Sequence, residues 1–178
     1  MSYRIFIYGG FCSGKTYLAK RLSEKYKIKL YSLDNLYWYG NWEHISKEKL
    51  LNDVREIVEK EDDWIIEGNY ENIRNYILPY CNIIYFCWMP MYALFYRCFK
   101  RSFDVNKNGV PQRVREQTSN KEPVLELLYH VCKYRFGQLC QDKKYISEIQ
   151  EKMEINIRIL KCNKKNCERE VAAFDQRK

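Results

Sequence analysis

The octapeptide Gly9-Gly10-Phe11-Cys12-Ser13-Gly14-Lys15-Thr16 matches the pattern GxxxxGK[ST] at every fixed position. It follows an apolar run, residues 4–8, and precedes residues 16–26, whose apolar side chains recur at the spacing of one helical face. In such a strand–loop–helix unit, successive backbone N–H groups can point at a phosphate, and the helix adds its positive N-terminal end. Lys15 would bridge the β- and γ-phosphates, and the Thr16 hydroxyl would bind Mg²⁺. We therefore favour a loop whose eight residues bind a nucleoside triphosphate over a glycine-rich turn with an incidental lysine.

The rest of the chain alternates predicted strands with predicted helices. Further strands are expected at residues 28–33, 64–66, 82–88 and 155–160, and helices at 46–58, 72–78, 91–103, 123–139, 143–153 and 169–174. Strands that alternate with helices are typical of an α/β fold, with a parallel sheet covered on both faces.

Size and composition indicate one globular domain, residues 1–178. The chain is 46% hydrophobic and 30% charged, which are proportions of globular rather than disordered proteins. The formal net charge of +8 is compatible with a phosphorylated ligand, an anionic surface or solvated lysines. Because lysine and arginine are spread along the chain without a nucleic-acid-binding motif, DNA is not expected as a partner, although the charge alone is compatible with it.

Cysteine usage and the lack of a secretion signal favour a cytoplasmic protein. The eight cysteines are irregularly spaced and include no CxxC pair, so we expect reduced thiols rather than disulfides or a zinc site. The apolar segment 83–95 is shorter than the ~20 residues that span a bilayer. No membrane association is expected, and the oligomeric state stays open.

Two carboxylates and two arginines are expected near the loop. Asp34 closes the second predicted strand and Glu67 the third, and ligands bind at the carboxyl ends of parallel strands. The alternative interpretations are a turn or helix-capping aspartate and a surface glutamate. Arg97 and Arg101 are four residues apart in a predicted helix and so share one face, a spacing that a solvated face also shows.

Together these features resemble the adenylate-kinase-like P-loop kinases and, within them, the small bacterial proteins called DNA topology modulation proteins. The resemblance rests on the octapeptide, Leu33-Asp34 followed by Trp38 and Trp42, the stretch Trp64-Ile65-Ile66-Glu67-Gly68-Asn69-Tyr70, and the two arginines. It implies the three-layer α/β/α fold of P-loop NTPases, with a five-stranded parallel sheet in the order 2-3-1-4-5.

The same resemblance implies roles for the charged residues. Glu67 would bind Mg²⁺ through a water molecule or lie beside the transferred phosphoryl group. Asp34 would orient the acceptor or act as its base. Arg97 and Arg101 would lie over the adenine and reach the triphosphate, where planar cationic groups stabilise the charge of phosphoryl transfer.

Two segments are also given roles by this resemblance. Residues 35–62 would cover the phosphate acceptor, with aromatic rings able to stack on a base. Residues 104–118 would form a candidate lid that excludes water. Arg74 and Arg135 are further candidate phosphate ligands.

The leading hypothesis is a phosphotransferase that uses ATP and Mg²⁺ and moves the γ-phosphoryl group to a nucleotide or another small-molecule acceptor. Its catalytic residues would be Lys15, Asp34, Glu67, Arg97 and Arg101, and its metal ligands Thr16 and Glu67. An alternative from another class is a regulatory, DNA-associated protein that uses ATP as a switch, and a further one is a slow ATPase without an acceptor. The residues do not identify the acceptor.

Overall fold

The computed structural model describes residues 2–39, 43–102, 124–152 and 155–174. The strands within these residues are β1 Arg4–Gly9, β2 Leu30–Ser32, β3 Trp38–Tyr39, β4 Glu43–His44, β5 Trp64–Glu67, β6 Ile83–Trp88 and β7 Asn156–Lys161. The helices are α1 Lys15–Tyr26, α2 Leu33–Tyr37, α3 Lys47–Lys60, α4 Glu71–Ile77, α5 Met91–Ser102, α6 Val124–Lys133, α7 Leu139–Lys152 and α8 Lys164–Ala173. A π-helical turn, Tyr134–Gln138, joins α6 to α7.

Five of the strands form one parallel sheet in the order β2-β5-β1-β6-β7. Counted along the chain within this sheet, the order is 2-3-1-4-5, so the predicted topology is confirmed. β1 lies at the centre and is buried from Ile5 to Gly9, as expected of a strand that is covered on both faces. The loop after β1 therefore opens beside the carboxyl ends of β5 and β6.

Alternate residues of the strands supply the two halves of the core. On one face, Phe6 and Ile66 belong to the cluster of apolar residues from α3, α4 and α7. On the other face, Ile5 and Ile65 belong to the cluster of apolar residues from α1 and α8. Because successive side chains of a strand point to opposite faces, apolar residues are available on both faces of the sheet. Helices pack on both sides, which gives the predicted three layers.

The second strand is shorter than its apolar pattern predicts. β2 ends at Ser32, and the chain turns at once into α2, so Asp34 is the second residue of a short helix. Beyond α2, the strands β3 and β4 form an antiparallel pair in which Trp38 lies opposite His44. Strands of two residues are too short to be recognised from a sequence pattern. Aspartate in the first turn of a helix is stabilised by the positive helix end, which explains why α2 can begin here.

The C-terminal half differs from prediction in its helix boundaries. The expected break between two helices near residues 140–142 is wrong, because α6, the π-helical turn and α7 run on from Val124 to Lys152. Within the described residues, no helix is both long and apolar enough to cross a membrane.

Candidate active site

The backbone of the loop after β1 depends on glycine at two positions. Gly9 has φ of 147°, and a Cβ atom there would overlap the backbone carbonyl of Cys87 on the adjacent strand. Gly14 has φ of 103°, and a Cβ there would lie 3.1 Å from Nη1 of Arg97. Residues with side chains rarely adopt such φ values. The two motif glycines thus allow the loop to leave β1 and enter α1 in the space available.

The N-terminus of α1 has the properties of an anion site. Gly14 caps the helix without a side-chain hydrogen bond, and the first turn contains no acidic residue, so its N–H groups are not satisfied by a cap. Lys15 Nζ donates to the Gly10 carbonyl at 3.1 Å. The Ser13 side chain is 1% exposed, and its Oγ has no hydrogen-bond partner within the described part of the chain. These groups fit a polyphosphate, which would supply acceptor oxygens.

Glu67 lies at the centre of the candidate site, at the end of β5. Its two carboxylate oxygens are each 3.3 Å from the Thr16 hydroxyl, and Oε1 accepts from Ser32 Oγ at 2.7 Å. The residue is 1% exposed. Burial raises the pKa of this carboxyl, and the nearby charge of Asp34 raises it further, whereas Lys15 lowers it.

The oxygen atoms around Glu67 suit a hard divalent cation. Thr16 Oγ1 and the Glu67 carboxylate converge on one point at the start of α1, and Mg²⁺ is commonly held by one or two such oxygens together with water and phosphate. A cation there would also offset the cost of keeping a carboxylate charged in a buried position. The residues present therefore fit Mg²⁺.

Asp34 is held beside this centre by a tyrosine. Tyr70 OH donates to Asp34 Oδ1 at 2.8 Å, and burial together with the Asp34 charge raises the pKa of the Tyr70 hydroxyl. The second oxygen of Asp34 is not used by this contact. Asp34 and Glu67 are close enough for their charges to interact, so the structure brings together the two predicted carboxylates.

Aromatic rings surround the Asp34 side of the site. The Tyr37 ring lies 5.2 Å from that of Tyr70 and stacks on His44 at 4.8 Å, and Trp38 meets His44 edge-on. These rings belong to the segment 35–62 that was predicted to cover an acceptor. Trp42 and the candidate lid, residues 104–118, lie outside the described residues.

The two predicted arginines contact the loop rather than each other. Arg97 donates through Nη1 to the carbonyls of Cys12 at 3.1 Å and Ser13 at 2.9 Å, and through Nη2 to the Cys162 carbonyl at 2.6 Å. The Arg101 guanidinium lies over the Phe11 ring, with 5.0 Å between Cζ and the ring centroid, a cation–π arrangement. Both side chains of α5 thus hold the outer side of the phosphate loop.

A buried polar network beside the loop was not predicted. Asp142 accepts from Arg74 Nη1 at 2.5 Å and from Tyr134 OH at 2.7 Å, and both charged residues are less than 10% exposed. The Tyr134 ring packs against Gly10 so closely that a Cβ there would overlap it. Arg74, considered a phosphate ligand from the sequence, is engaged in this network, whereas Arg135 is exposed.

The signal for this network is weak in the sequence. Asp142 and Arg74 are 68 residues apart, and each lies on a helix where charged residues usually face water. Only the π-helical turn, which frequently marks functional sites, singles out Tyr134, and it is visible in the structure alone.

Comparison with solved structures supports the assignment of the fold. Shikimate kinase from Bacteroides thetaiotaomicron superposes with a TM-score of 0.59 and 16% identity, covering 98% of this chain and 97% of that one. A gluconokinase from Sinorhizobium meliloti 1021 gives 0.53 and 11% identity, covering 98% and 92%. An uncharacterized protein from Eubacterium ventriosum ATCC 27560 gives 0.57 and 18% identity, covering 98% and 97%.

Comparison by sequence adds no relative. No protein-family model matches the chain, and no curated protein matches it. Membership of the DNA topology modulation family therefore stays a prediction. The similarity of structure extends over nearly the full length of the shikimate kinase and the gluconokinase, and the chain shares their fold.

Proposed function

We propose that this protein transfers the γ-phosphoryl group of Mg-ATP to a nucleotide or another small-molecule acceptor. The observation that carries the proposal is the convergence at one edge of the sheet of Lys15, Thr16, Glu67 and Asp34, next to a helix N-terminus without an acidic residue. Phosphoryl transfer is catalysed mainly by positioning and by charge stabilisation, and these groups supply both. We further propose that residues 1–178 act as one kinase domain.

The loop would bind the donor. Backbone N–H groups of the loop and of the first turn of α1 would donate to the β-phosphate. Lys15 would exchange its bond to the Gly10 carbonyl, 3.1 Å long, for phosphate oxygens. Thr16 and, through a water molecule, Glu67 would hold Mg²⁺, which would supply neutralisation of the charge that develops on the phosphate oxygens. The Ser13 hydroxyl has a hydrogen-bond donor to offer.

The carboxylate of Asp34 is the proposed base. An acceptor hydroxyl oxygen forms a bond to the γ-phosphorus, the bond from the γ-phosphorus to the bridging oxygen breaks, and that electron pair leaves with ADP. The hydroxyl proton passes to Asp34, whose orientation the Tyr70 hydrogen bond holds. Arg97 and Arg101 would keep the loop in place, and we propose that they also stabilise the triphosphate.

The acceptor would bind on the Asp34 side of the loop. The rings of Tyr37 and Trp38 lie there and would cover it, in keeping with the role proposed for residues 35–62. Aromatic faces of this kind can stack on a base, which keeps nucleotides among the candidate acceptors.

The direct test is ADP formation with and without candidate acceptors. We expect one acceptor class to raise the rate in the wild type, and Lys15→Ala to lower that rate by at least about 100-fold, the usual effect of removing one charge-stabilising donor. Lys20→Ala is the matched control, because Lys20 lies on the same helix and is exposed.

Two outcomes would contradict the proposal. ADP formation that no acceptor changes, and that Lys15→Ala abolishes, would identify a slow ATPase. Absence of acceptor-dependent turnover together with salt-sensitive DNA binding would favour the regulatory alternative.

A further inference from the structure

Two thiols connect the phosphate loop to α5. Cys12 is the fourth residue of the octapeptide and Cys98 lies on α5, and the Cys98 thiol donates to the Cys12 sulfur at 3.3 Å. Both residues are present as thiols rather than as a disulfide. A disulfide bond is about 2.05 Å long, so the two sulfur atoms need to approach each other by little more than about 1 Å to form one.

The contact between the two sulfur atoms is held by the residues around it. Arg97, the residue before Cys98, donates through Nη1 to the carbonyls of Cys12 and Ser13, which fixes α5 against the loop. Cys98 belongs to a cluster of buried apolar residues, and Cys12 and Phe11 pack against this cluster. Two reactive groups that are held in contact react with each other as in an intramolecular step, which strongly favours bond formation.

Cys12 has the surroundings of a reactive thiol. It is partly exposed, whereas Cys98 is fully buried. The Arg97 guanidinium lies 3.1 Å from the Cys12 carbonyl oxygen, and α1, whose N-terminus is positive, begins three residues after Cys12. Thiols that react with oxidants are partly exposed and lie in positively charged surroundings. Cys12 is therefore the thiol of this pair that an oxidant would reach, and Cys98 lies where it can react with the oxidised sulfur.

A second pair of thiols is closer together but is shielded from solvent. The thiol of Cys162, which follows β7, donates to the sulfur of Cys87 on β6 at 2.9 Å, and both residues are buried. A hydrogen bond with Cys167 lowers the pKa of the Cys162 thiol, but the hydrogen bond with Cys87 and burial raise it by more. Buried thiols of raised pKa are inert, so this pair is an internal comparison for the accessible one.

We propose that Cys12 and Cys98 form a reversible disulfide when the protein meets a peroxide, and that this bond lowers the affinity of the phosphate loop for ATP. The loss of affinity rests on the ATP binding proposed above, whereas formation of the bond does not. Cys12 belongs to the loop whose backbone N–H groups would donate to phosphate. Such hydrogen bonds need donor–acceptor distances of about 2.7–3.2 Å, so a displacement of Cys12 towards α5 weakens them.

The chemistry uses hydrogen peroxide as the oxidant. The Cys12 thiol loses its proton and its sulfur attacks one peroxide oxygen. The O–O bond breaks, and the leaving hydroxide takes up that proton to form water, which leaves a sulfenic acid on Cys12. The Cys98 sulfur then attacks the Cys12 sulfur, the S–O bond breaks, and the hydroxide leaves with the Cys98 proton as a second water. Two thiols are thus oxidised by two electrons, and one peroxide is reduced to two water molecules.

The experiment treats the full chain with hydrogen peroxide and maps the cysteine linkages by mass spectrometry of peptides kept under non-reducing conditions. We expect a linkage between Cys12 and Cys98 before any between Cys87 and Cys162. In the same samples, a fluorescent-nucleotide titration should show a Kd for ATP raised by at least about tenfold, the effect of losing one hydrogen bond to a charged group. Dithiothreitol should restore both the thiols and the Kd.

Two variants separate the linkage from other oxidation. Cys98→Ala should bind ATP like the reduced wild type, but after peroxide treatment it should keep a sulfenic acid on Cys12 that dimedone labels, because the thiol that reacts with it is gone. The wild type should be labelled far less. Cys140→Ser is the control: Cys140 is exposed, and its replacement should leave the linkage and the change in Kd as in the wild type.

The outcomes distinguish this proposal from the proposed function. Absence of the linkage between Cys12 and Cys98, or earlier linkage of Cys87 with Cys162, would overturn the proposed modification. A linkage that leaves the Kd for ATP unchanged would overturn its effect on the loop. If the reduced protein does not bind ATP, the proposed function fails, and the peptide map still decides whether the disulfide forms.

Discussion

Replacing Asp142 by asparagine tests the buried network most directly. The side chains of Arg74 and Asp142 are 9% and 5% exposed and 2.5 Å apart, so the change leaves a guanidinium in a buried position without its counter-charge. Removing one partner of a buried ion pair typically costs about 3–5 kcal/mol. For a chain of this length, we expect the midpoint of thermal unfolding to fall by about 6–20 °C.

The surroundings of Arg74 offer little compensation. Its Nε atom is buried without a hydrogen-bond partner in the described residues, and the guanidinium carbon lies 4.3 Å from the Tyr145 ring centroid and 5.4 Å from that of Tyr8. Aromatic faces stabilise a cation only modestly. Asparagine can still accept from Tyr134, so the predicted loss reports on the charge rather than on that hydrogen bond.

Urea titration and calorimetry would measure the effect. The double replacement Arg74→Met with Asp142→Leu should recover most of the stability, because two apolar side chains remove both buried charges. Glu56→Gln is the surface control: Glu56 is paired with Lys60, both are about 70% exposed, and the midpoint should move by no more than about 2 °C. If Asp142→Asn behaves like this control, the network is solvated and the reasoning fails.

Three further predictions concern the phosphate loop and its carboxylate. Because burial raises the pKa of Glu67, the folded protein binds its proton more tightly than the unfolded chain, and wild-type stability should fall as pH rises above about 4.5. The Glu67→Gln variant should lack this fall and should be more stable than the wild type at pH 7 without nucleotide, yet inactive. If the midpoints of thermal unfolding of the two proteins change in parallel from pH 4 to 8, the prediction is refuted. Gly9→Ala should destabilise the protein by at least about 1–3 kcal/mol because of the φ of Gly9. At Gly137 a Cβ atom would meet no atom within 4 Å, so Gly137→Ala should stabilise the protein by up to about 1 kcal/mol. Equal urea midpoints for the two variants would contradict the loop geometry. A lysine at position 97 cannot donate to all three backbone carbonyls that Arg97 contacts, so Arg97→Lys should raise the Kd for ATP by at least about tenfold. An unchanged Kd in a fluorescent-nucleotide titration would show that ATP binding does not depend on these contacts to the loop.

The topology and the loop were predictable because their determinants are local. The octapeptide lies between an apolar run and a segment with helical periodicity, so a strand, a turn and a helix follow one another within residues 4–26, and Glu67 ends an apolar strand that is buried throughout. Since parallel strands present their carboxyl ends at one edge, proximity of Glu67 to Thr16 follows from the fold. The roles assigned to these residues stay predictions until activity is measured.

The buried network of Arg74 and Asp142 and the contacts of Arg97 were not predictable, because they depend on segments far apart in the sequence. In the sequence, Asp142 cannot be distinguished from the other charged residues of a polar helix. It is buried against Arg74 only because α7 packs on α4. Arg97 was expected to reach the ligand, yet its nitrogens lie on backbone carbonyls, an acceptor that every residue offers and no pattern of side chains reveals. Side-chain to backbone bonds of this kind are invisible to motif analysis.

The position of Arg97 has a consequence for recognising such loops by their motif. In a planar trans peptide, the carbonyl of one residue and the N–H of the next point in opposite directions. By holding the Ser13 carbonyl on the side of α5, Arg97 turns the N–H of Gly14 to the opposite side of the loop backbone. The direction of that donor is thus encoded 84 residues after Ser13. A chain can keep all eight letters of the octapeptide and still lose the binding surface through a single change on α5.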